Sequence, residues 1–252
     1  DGRAAAEAAA RMLDDGADVV DIGGESTKPG AALVPPDVER ARVLPVIEAL
    51  VKRGVRAISV DTRNASTARD ALAAGASWIN DVTALTHDAD MPAAAQAADA
   101  VVLMHWPADV RARWSAGSTH TTGDDVDYGG DVLGAVHGYL AARVDAAVHA
   151  GIDRARIVVD PGLGFGKNVD DNVRLLKASA RFKGLAAACL VGPSRKRFVG
   201  ALAGVEAPKL RDNATMAAVA CAIMHGADIV RVHDVKHAVE CAKVVDAVVR
   251  QR

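Results

Sequence analysis

The chain has 252 residues, half of them hydrophobic but only 3% aromatic, and a formal net charge of −2. This length fits one α/β barrel domain, with a core built mainly from aliphatic side chains and alanine. A charge so close to zero gives no electrostatic reason to expect nucleic acid or an anionic membrane as a partner, so we expect small-molecule substrates.

The cysteines and the apolar segments indicate an intracellular protein. Cys189, Cys221 and Cys241 are odd in number and lack CxxC spacing, which argues against a disulfide framework and a structural zinc site. No run of about 18 or more apolar residues predicts a membrane span, and the first residues resemble no signal peptide. We expect a cytoplasmic protein, or a mitochondrial one if the source is eukaryotic.

Short runs rich in Val and Ile alternate with alanine-rich helical stretches, a pattern typical of βα units and a parallel sheet. Strands are predicted at 18–24, 56–62, 77–82, 100–105, 156–161, 188–193 and 228–233. Helices are predicted at 3–14, 36–52, 65–74, 88–98, 129–150, 170–180, 212–225 and 235–250. Together they predict one domain over 1–252, a (β/α)₈ TIM barrel that lacks its first β-strand. An open doubly wound sheet is the alternative.

Polar residues close most of the predicted strands, which favours the barrel. They are Asp21, Asp61, Asn80, His105, Asp160 and His233. A barrel gathers such groups from several strands at one rim. Asp61, Asn80 and Asp160 suit a heterocycle with adjacent N–H and C=O groups, although a lone aspartate at such a place is as often a helix cap.

The loop "DPGLGFGK" (160–167) is not a nucleotide-binding loop of the GxxxxGK[ST] type. Pro161 stands where that motif needs glycine, and Asn168 stands where it needs a hydroxyl. The loop is therefore one βα loop of the rim. Another, "GGESTKPGA" (23–31), offers hydroxyl and ammonium donors, or is an ordinary surface turn.

Basic residues accumulate near the end of the chain. The loop "GPSRKRFVG" (192–200) follows the sixth predicted strand, and the seventh brings Arg231 and His233 to one face. Because the last loops of a barrel often bind phosphate, these groups predict a pyrophosphate pocket, with a solvated basic surface as the alternative.

Three further features allow more than one interpretation. His105, His233 and Asp160 could ligate a metal, but no two histidines have ligand spacing on one element. Met104 and Phe165 are more typical of packing than of ligand contact. The stretch 106–125 is long and polar, and we predict an irregular lid or an insertion there.

Several motifs, in this order, resemble those of the dihydropteroate synthases, pterin-binding barrel enzymes of folate biosynthesis. They are "GADVVDIGGESTKPGA", "ISVDTRNASTARDALAAGASWINDV", "VVLMH", "VVDPGLGFGK", "LVGPSRKRF" and "GADIVRVHDV". Arg197 after Ser-Arg-Lys resembles the plant and fungal members, which are often fused to a hydroxymethyldihydropterin pyrophosphokinase domain. That fusion is therefore an expected possibility.

The resemblance implies the condensation of 6-hydroxymethyl-7,8-dihydropterin pyrophosphate with p-aminobenzoate to 7,8-dihydropteroate and pyrophosphate. It implies catalytic roles for Asp61, Asp160 and Lys196, and a pterin site that contains these three with Asn80, Val82 and Met104. It implies a p-aminobenzoate pocket formed by Thr27, Lys28, Pro29, Phe165, Lys196 and Arg197, and pyrophosphate binding by Arg231 and His233.

The resemblance also implies Mg²⁺ as cofactor and a homodimer. No metal ligand is expected in this chain, because the family's metal-placing Asn lies on the first strand, which we expect upstream of Asp1. Without that strand we expect an open barrel seam and little activity. Lys28 stands where the family usually has arginine, so it keeps the charge but loses bidentate geometry.

Two alternatives to the synthase remain. A corrinoid-dependent folate methyltransferase domain shares the pterin barrel but does not need the "STKPG" and "SRKRF" loops. A noncatalytic pterin-binding domain would bind pterin without releasing pyrophosphate.

Overall fold

The sheet consists of parallel strands that follow one another in chain order. The computed structural model describes residues 2–28, 30–116 and 126–249. Within them the strands are β1 Val20–Gly23, β2 Ile58–Asp61, β3 Trp78–Asp81, β4 Ala100–Met104, β5 Ile157–Asp160, β6 Ala188–Val191 and β7 Ile229–Val230. Each pairs in parallel with the next. All seven predicted strands are confirmed with shorter bounds, and the sequential order is that of a TIM barrel, since a doubly wound sheet reverses its order.

Helices follow the strands and cover the outside of the sheet. They are α1 Gly2–Asp14, α2 Pro36–Lys52, α3 Ala65–Ala73, α4 Met91–Ala95, α5 Ala108–Ser115, α6 Val132–His149, α7 Val169–Lys177, α8 Ser179–Lys183, α9 Arg197–Ala203, α10 Asp212–Met224 and α11 Val235–Val249. The eight predicted helices are confirmed. Among the described helices, none combines the length and the apolar character that a membrane span requires.

Three short helices were not predicted. The prediction of an irregular segment at 106–125 is wrong for α5, and residues 117–125 lie outside the described ranges. In α5, Val110 and Trp114 are four residues apart and buried, so packing stabilises a helix too short to stand alone. The helix predicted at 170–180 ends at Lys177 and is followed by α8, and α9 begins inside the predicted loop 192–200.

The two faces of the strands have different environments. Outward side chains such as Val60, Ile79 and Leu103 pack with the helices in the main core. The alternate positions face the barrel interior, where Val102, Val158 and Leu190 form a separate apolar cluster. Further along the same inward positions the side chains become polar, so the interior is apolar at one end and polar at the carboxyl ends of the strands.

The sheet is curled until its two edges come close together. No pairing joins β1 to β7 within the described ranges. Arg231, directly after β7, nevertheless donates from Nε to Asp21 Oδ2 of β1 at 2.7 Å. A sequential sheet of seven strands with this unpaired edge fits the prediction of an eight-stranded barrel without its first strand.

A buried glutamate fixes the turn that follows β2. Glu39 of α2 is only 1% exposed. Its Oε2 accepts hydrogen bonds from Thr62 Oγ1 at 2.9 Å, Asn64 Nδ2 at 2.9 Å and Thr67 Oγ1 at 2.6 Å. Because Thr62 directly follows Asp61, this network determines where the end of β2 lies.

Replacement of this glutamate tests the network. Glu39→Ala leaves three buried donors without their acceptor, so we expect the free energy of unfolding to fall by about 2–4 kcal/mol. Glu39→Gln keeps an acceptor oxygen and should lose about 1 kcal/mol or less. Urea unfolding measures both values, and equal midpoints for the alanine variant and the unsubstituted chain would contradict this account.

Candidate active site

The carboxyl ends of β1, β2 and β3 bring two carboxylates and an amide together. Strand register pairs Gly23 with Asp61, and Asp61 with Asn80. Asp21 Oδ2 accepts from Asn80 Nδ2 at 2.9 Å and from Arg231 Nε at 2.7 Å. Arg231 Nη2 also donates to Asp61 Oδ2 at 3.3 Å. One guanidinium therefore binds the carboxylates of two neighbouring strands.

Burial and the crowding of carboxylates together control the protonation of Asp61. Burial and, to a smaller extent, the neighbouring charge of Asp21 raise the pKa of Asp61 to about 7, while Arg231 opposes the shift. The same two carboxylates raise the pKa of Arg231, which stays charged. Asp61 thus changes its charge near neutral pH, a property typical of functional carboxylates.

A second acidic centre lies at the end of β5. Asp160 is 7% exposed, and its Oδ1 accepts from the backbone N–H of Gly162 at 2.7 Å. Burial raises the pKa of Asp160, and the Lys196 ammonium opposes that shift. Gly162 has φ +69°, and a Cβ there would meet the His105 carbonyl oxygen at 2.0 Å, so only glycine fits this turn.

Lys196 connects the loops after β5 and β6. Its ammonium donates to the Leu163 carbonyl oxygen and lies 5.0 Å from the ring centroid of Phe165, over the face of the ring. Burial lowers the pKa of Lys196 to about 8, and Asp160 opposes this. A Cβ built on Gly192 would lie 3.7 Å from both Lys196 Nζ and Arg231 Cβ, so the two cations flank the same backbone.

An aromatic and aliphatic cluster adjoins these charged groups. Val82 and Met104 are buried there with Trp106, Val110 and Trp114, and Phe165 packs against it. Phe165 contacts Trp106 with ring centroids 5.1 Å apart. The predicted pterin residues Val82 and Met104 and the predicted p-aminobenzoate residue Phe165 therefore lie in one cluster, beside Lys196.

His233 is held by the loop after β6. Its Nδ1 lies 2.8 Å from Ser194 Oγ, and its backbone N–H donates to the same oxygen at 3.1 Å. Burial lowers the pKa of His233, as does the nearby charge of Arg195. Arg195 is itself bound to Asp212 through two hydrogen bonds of 2.7 and 2.8 Å.

The remaining predicted residues lie on the loops after β1 and β6. Thr27 is half-buried and Lys28 is exposed, with the Lys28 carbonyl oxygen bound to the Trp114 indole N–H at 3.2 Å. Pro29 lies outside the described residues. Arg197 is exposed at the first position of α9.

The geometry does not support the alternative metal site. Nδ1 of His105 lies 2.9 Å from Lys167 Nζ, and Nδ1 of His233 is taken by Ser194. Across the described ranges, no three His, Cys, Asp or Glu side chains converge as metal ligands. The suggestion that His105, His233 and Asp160 bind a metal together is therefore wrong for this geometry.

Two residues that contact the site were not among the predicted site residues. Asp21 links Asn80 to Arg231, and its Oδ1 is buried without a hydrogen-bond partner among the residues that the structure describes. The available signal was that Asp21 is a carboxylate within the apolar run of β1, two residues before the position that pairs with Asp61 on β2. Ser194 orients His233, and no pattern in the sequence indicated that contact.

Comparison with known proteins identifies the family. A family model described as "Pterin binding enzyme" matches residues 1–233. Over 240 residues the chain is 41% identical to a dihydropteroate synthase from Synechocystis sp., a match that covers 95% of this chain and 80% of that protein. The chain belongs to the dihydropteroate synthases. The Escherichia coli member is 39% identical over 236 residues, 94% of this chain and 80% of the relative.

Solved structures of the family agree with the fold. A Xanthomonas albilineans dihydropteroate synthase with 4-aminobenzoic acid superposes with a TM-score of 0.88 at 42% identity, covering 98% of this chain and 85% of that one. A Burkholderia cenocepacia member complexed with 7,8-dihydropteroate gives 0.87 at 41% identity, covering 100% and 89%. The TIM-barrel prediction is confirmed.

The prediction that the chain is most similar to the plant and fungal members is wrong. The bifunctional folate-synthesis protein of Arabidopsis thaliana is 38% identical, and the match covers 44% of its length. Two bacterial members are each 41% identical, and these matches cover about four-fifths of the length of each relative. Arg197, the single residue behind the expectation, is exposed at the first position of α9.

The raised pKa of Asp61 has a measurable consequence for stability. Between its ordinary value of 3.8 and about 7 the folded protein keeps a proton that the unfolded chain releases, so stability falls as pH rises through this window. From pH 5 to 8 the unsubstituted chain should lose about 2–3 kcal/mol more unfolding free energy than Asp61→Asn.

Urea unfolding at both pH values measures this difference. Asp15→Asn, at an exposed carboxylate after α1, serves as the control and should follow the unsubstituted chain. Parallel pH dependence of the Asp61→Asn variant and the unsubstituted chain would show that the Asp61 proton is not retained on folding.

Proposed function

We propose that the chain condenses 6-hydroxymethyl-7,8-dihydropterin pyrophosphate with p-aminobenzoate and releases pyrophosphate. One observation carries this proposal: Arg231 contacts both Asp21 and Asp61, so that acidic groups and a cation lie together at one rim of the barrel. The aromatic cluster beside Lys196 supplies the flat apolar surface that ring-shaped substrates need. The matches to dihydropteroate synthases support the same reaction.

In the proposed binding mode, the pterin ring lies between the two acidic centres. Asp61, Asp160 and Asn80 offer acceptors and an amide to its N–H and C=O groups, with Lys196 as a donor. Val82 and Met104 supply apolar contacts. Asp21, whose Oδ1 has no partner among the described residues, adds an acceptor at the same rim.

The proposed chemistry breaks the bond between the pterin methylene carbon and the diphosphate oxygen. Pyrophosphate leaves with the bonding electrons, and positive charge develops on the methylene carbon. Ionised Asp61 and Asp160 stabilise that charge, because fixed carboxylates in a dry site act strongly on nearby cations. The amine nitrogen of p-aminobenzoate then forms the new C–N bond and loses a proton.

Arg231 and His233 are proposed to bind the departing pyrophosphate. Arg231 stays charged beside two carboxylates, and its guanidinium can bind phosphate oxygens through two donors. His233 is held at the same rim by Ser194. The loop with Thr27, Lys28 and Pro29 is proposed to form the p-aminobenzoate pocket with Phe165, Lys196 and Arg197.

A kinetic assay of pyrophosphate release tests the function. Release should require both substrates, and Arg231→Met should lower kcat/KM for the dihydropterin pyrophosphate about 100-fold, since it removes the main cation at the leaving group. Arg53→Met is the matched control, because Arg53 is exposed after α2, at the opposite end of the barrel. Pterin binding without release would favour the noncatalytic alternative, and equal kcat/KM in Arg231→Met would contradict the role of that residue.

The described residues do not fit a protein-built Mg²⁺ site. Asp21 has one unpaired oxygen, but its other oxygen is bound to Arg231 and Asn80, and the described part of the chain holds no group of three candidate ligands. We therefore propose that Mg²⁺ binds with the diphosphate of the substrate, and we assign no protein residue to it.

Calorimetry tests the proposed Mg²⁺ binding. Titration of Mg²⁺ into the chain alone should show no saturable binding, and titration in the presence of pyrophosphate should show binding to the protein complex. Saturable binding without pyrophosphate would contradict the proposal. The single-domain organisation, the homodimer, the possible kinase fusion and the intracellular location stay predictions.

A further inference from the structure

The loop after β1 is closed at its base by Glu25. The carboxylate Oε1 of Glu25 accepts from the backbone N–H of Val34 at 2.8 Å, which joins the two ends of the segment 25–34. The proposed p-aminobenzoate residues of this loop lie between those ends. The position of the loop therefore depends on what holds Glu25.

Arg63 holds Glu25 through two hydrogen bonds. Nε donates to Glu25 Oε2 at 2.8 Å and Nη2 donates to Glu25 Oε1 at 3.2 Å. The two side chains are only 9% and 6% exposed. Because Arg63 is the second residue after β2, this buried bidentate pair fixes the loop to the rigid end of the neighbouring strand.

Trp114 of α5 holds the middle of the same loop. Its indole N–H donates to the Lys28 carbonyl oxygen at 3.2 Å, and it is 1% exposed. The guanidinium carbon of Arg63 lies 5.2 Å from the Trp114 ring centroid. Arg63 thus contacts both the group that closes the loop and the group that holds its centre.

Trp114 also connects the loop to the other side of the proposed pocket. Its ring lies 5.2 Å from that of Trp106, which lies 5.1 Å from that of Phe165. Phe165 in turn lies under the Lys196 ammonium. A continuous series of packed rings therefore runs from Lys28 to Phe165 and Lys196.

We propose that Arg63 and Trp114 are positioning residues that set the distance between the Lys28 loop and Phe165, and thereby the affinity for p-aminobenzoate. This inference rests on the proposed function. Neither residue needs to contact the pterin, because the hydrogen bonds of Arg63 and of the Trp114 indole N–H reach the loop after β1 and His87, and not the carboxylates at the strand ends. The effect should therefore be selective for one of the two substrates.

Trp114→Phe is the sharpest test, since it keeps an aromatic ring in the cluster and removes the indole N–H that binds Lys28. We expect KM for p-aminobenzoate to rise about fivefold, the effect of one lost hydrogen bond, with KM for the dihydropterin pyrophosphate unchanged. Trp78→Phe is the matched control, because Trp78 packs in the apolar interior cluster. It should leave both KM values unchanged.

Arg63→Lys provides an independent test that keeps the positive charge. It removes the bidentate geometry toward Glu25, and we expect the same selective rise in KM for p-aminobenzoate. Thermal unfolding of each variant measures any general loss of stability. Such a loss by itself would not raise KM for one substrate and leave KM for the other unchanged.

The outcomes distinguish this inference from the function on which it rests. Pyrophosphate release with an unchanged KM for p-aminobenzoate in both variants, or an equal rise in both KM values, overturns the inference and leaves the function standing. No release from the unsubstituted chain refutes the proposed function instead. In that case the affinity for p-aminobenzoate is measured by calorimetry with pyrophosphate and pterin present. Weaker binding by Trp114→Phe and Arg63→Lys but not by Trp78→Phe would support the inference, and unchanged binding by the two variants would overturn it.

Discussion

Buried and partly buried carboxylates at one rim of the barrel have to be balanced by cations, and the arrangement of the site follows from this requirement. Asp160 is buried, and the side chains of Asp21 and Asp61 are 17% and 21% exposed. A charged carboxylate in such surroundings costs several kcal/mol unless it is paired. Arg231 pairs with Asp21 and Asp61, and Lys196 lies close enough to Asp160 to oppose the rise in its pKa that burial causes.

The cations at the rim do not fully balance the charge of its carboxylates, and this imbalance influences the chemical properties of the site. Burial and the charge of Asp21 raise the pKa of Asp61 to about 7, and Arg231, whose single charge serves two carboxylates, opposes this only in part. Burial in turn leaves Lys196 with a lowered pKa. Groups with shifted pKa values are typical of functional sites. A substrate that brings N–H donors and a diphosphate would complete the pairing that the protein alone leaves unfinished.

The polar rim is possible because the same strands build an apolar core elsewhere. Outward positions pack with helices, and inward positions lower in the barrel form the cluster around Val102, Val158 and Leu190. Glu39 and its three donors then fix the end of β2 next to Asp61. The strands, whose ends are held by such hydrogen bonds, position the functional groups rigidly. The loops carry the groups that are proposed to contact individual substrates.

The sequence by itself determined the alternation of strands and helices, the barrel class and the strand-end residues, because apolar runs of Val and Ile and the polar residue that closes each run are local patterns. It could not determine α5, whose Val110 and Trp114 are buried only through contacts with distant segments. Tertiary structure alone decided that Asp21 and Arg231, 210 positions apart, form an ion pair. It also decided that Trp114 binds Lys28 across 86 positions. Such contacts depend on how the sheet curls, and no local sequence pattern encodes that curvature.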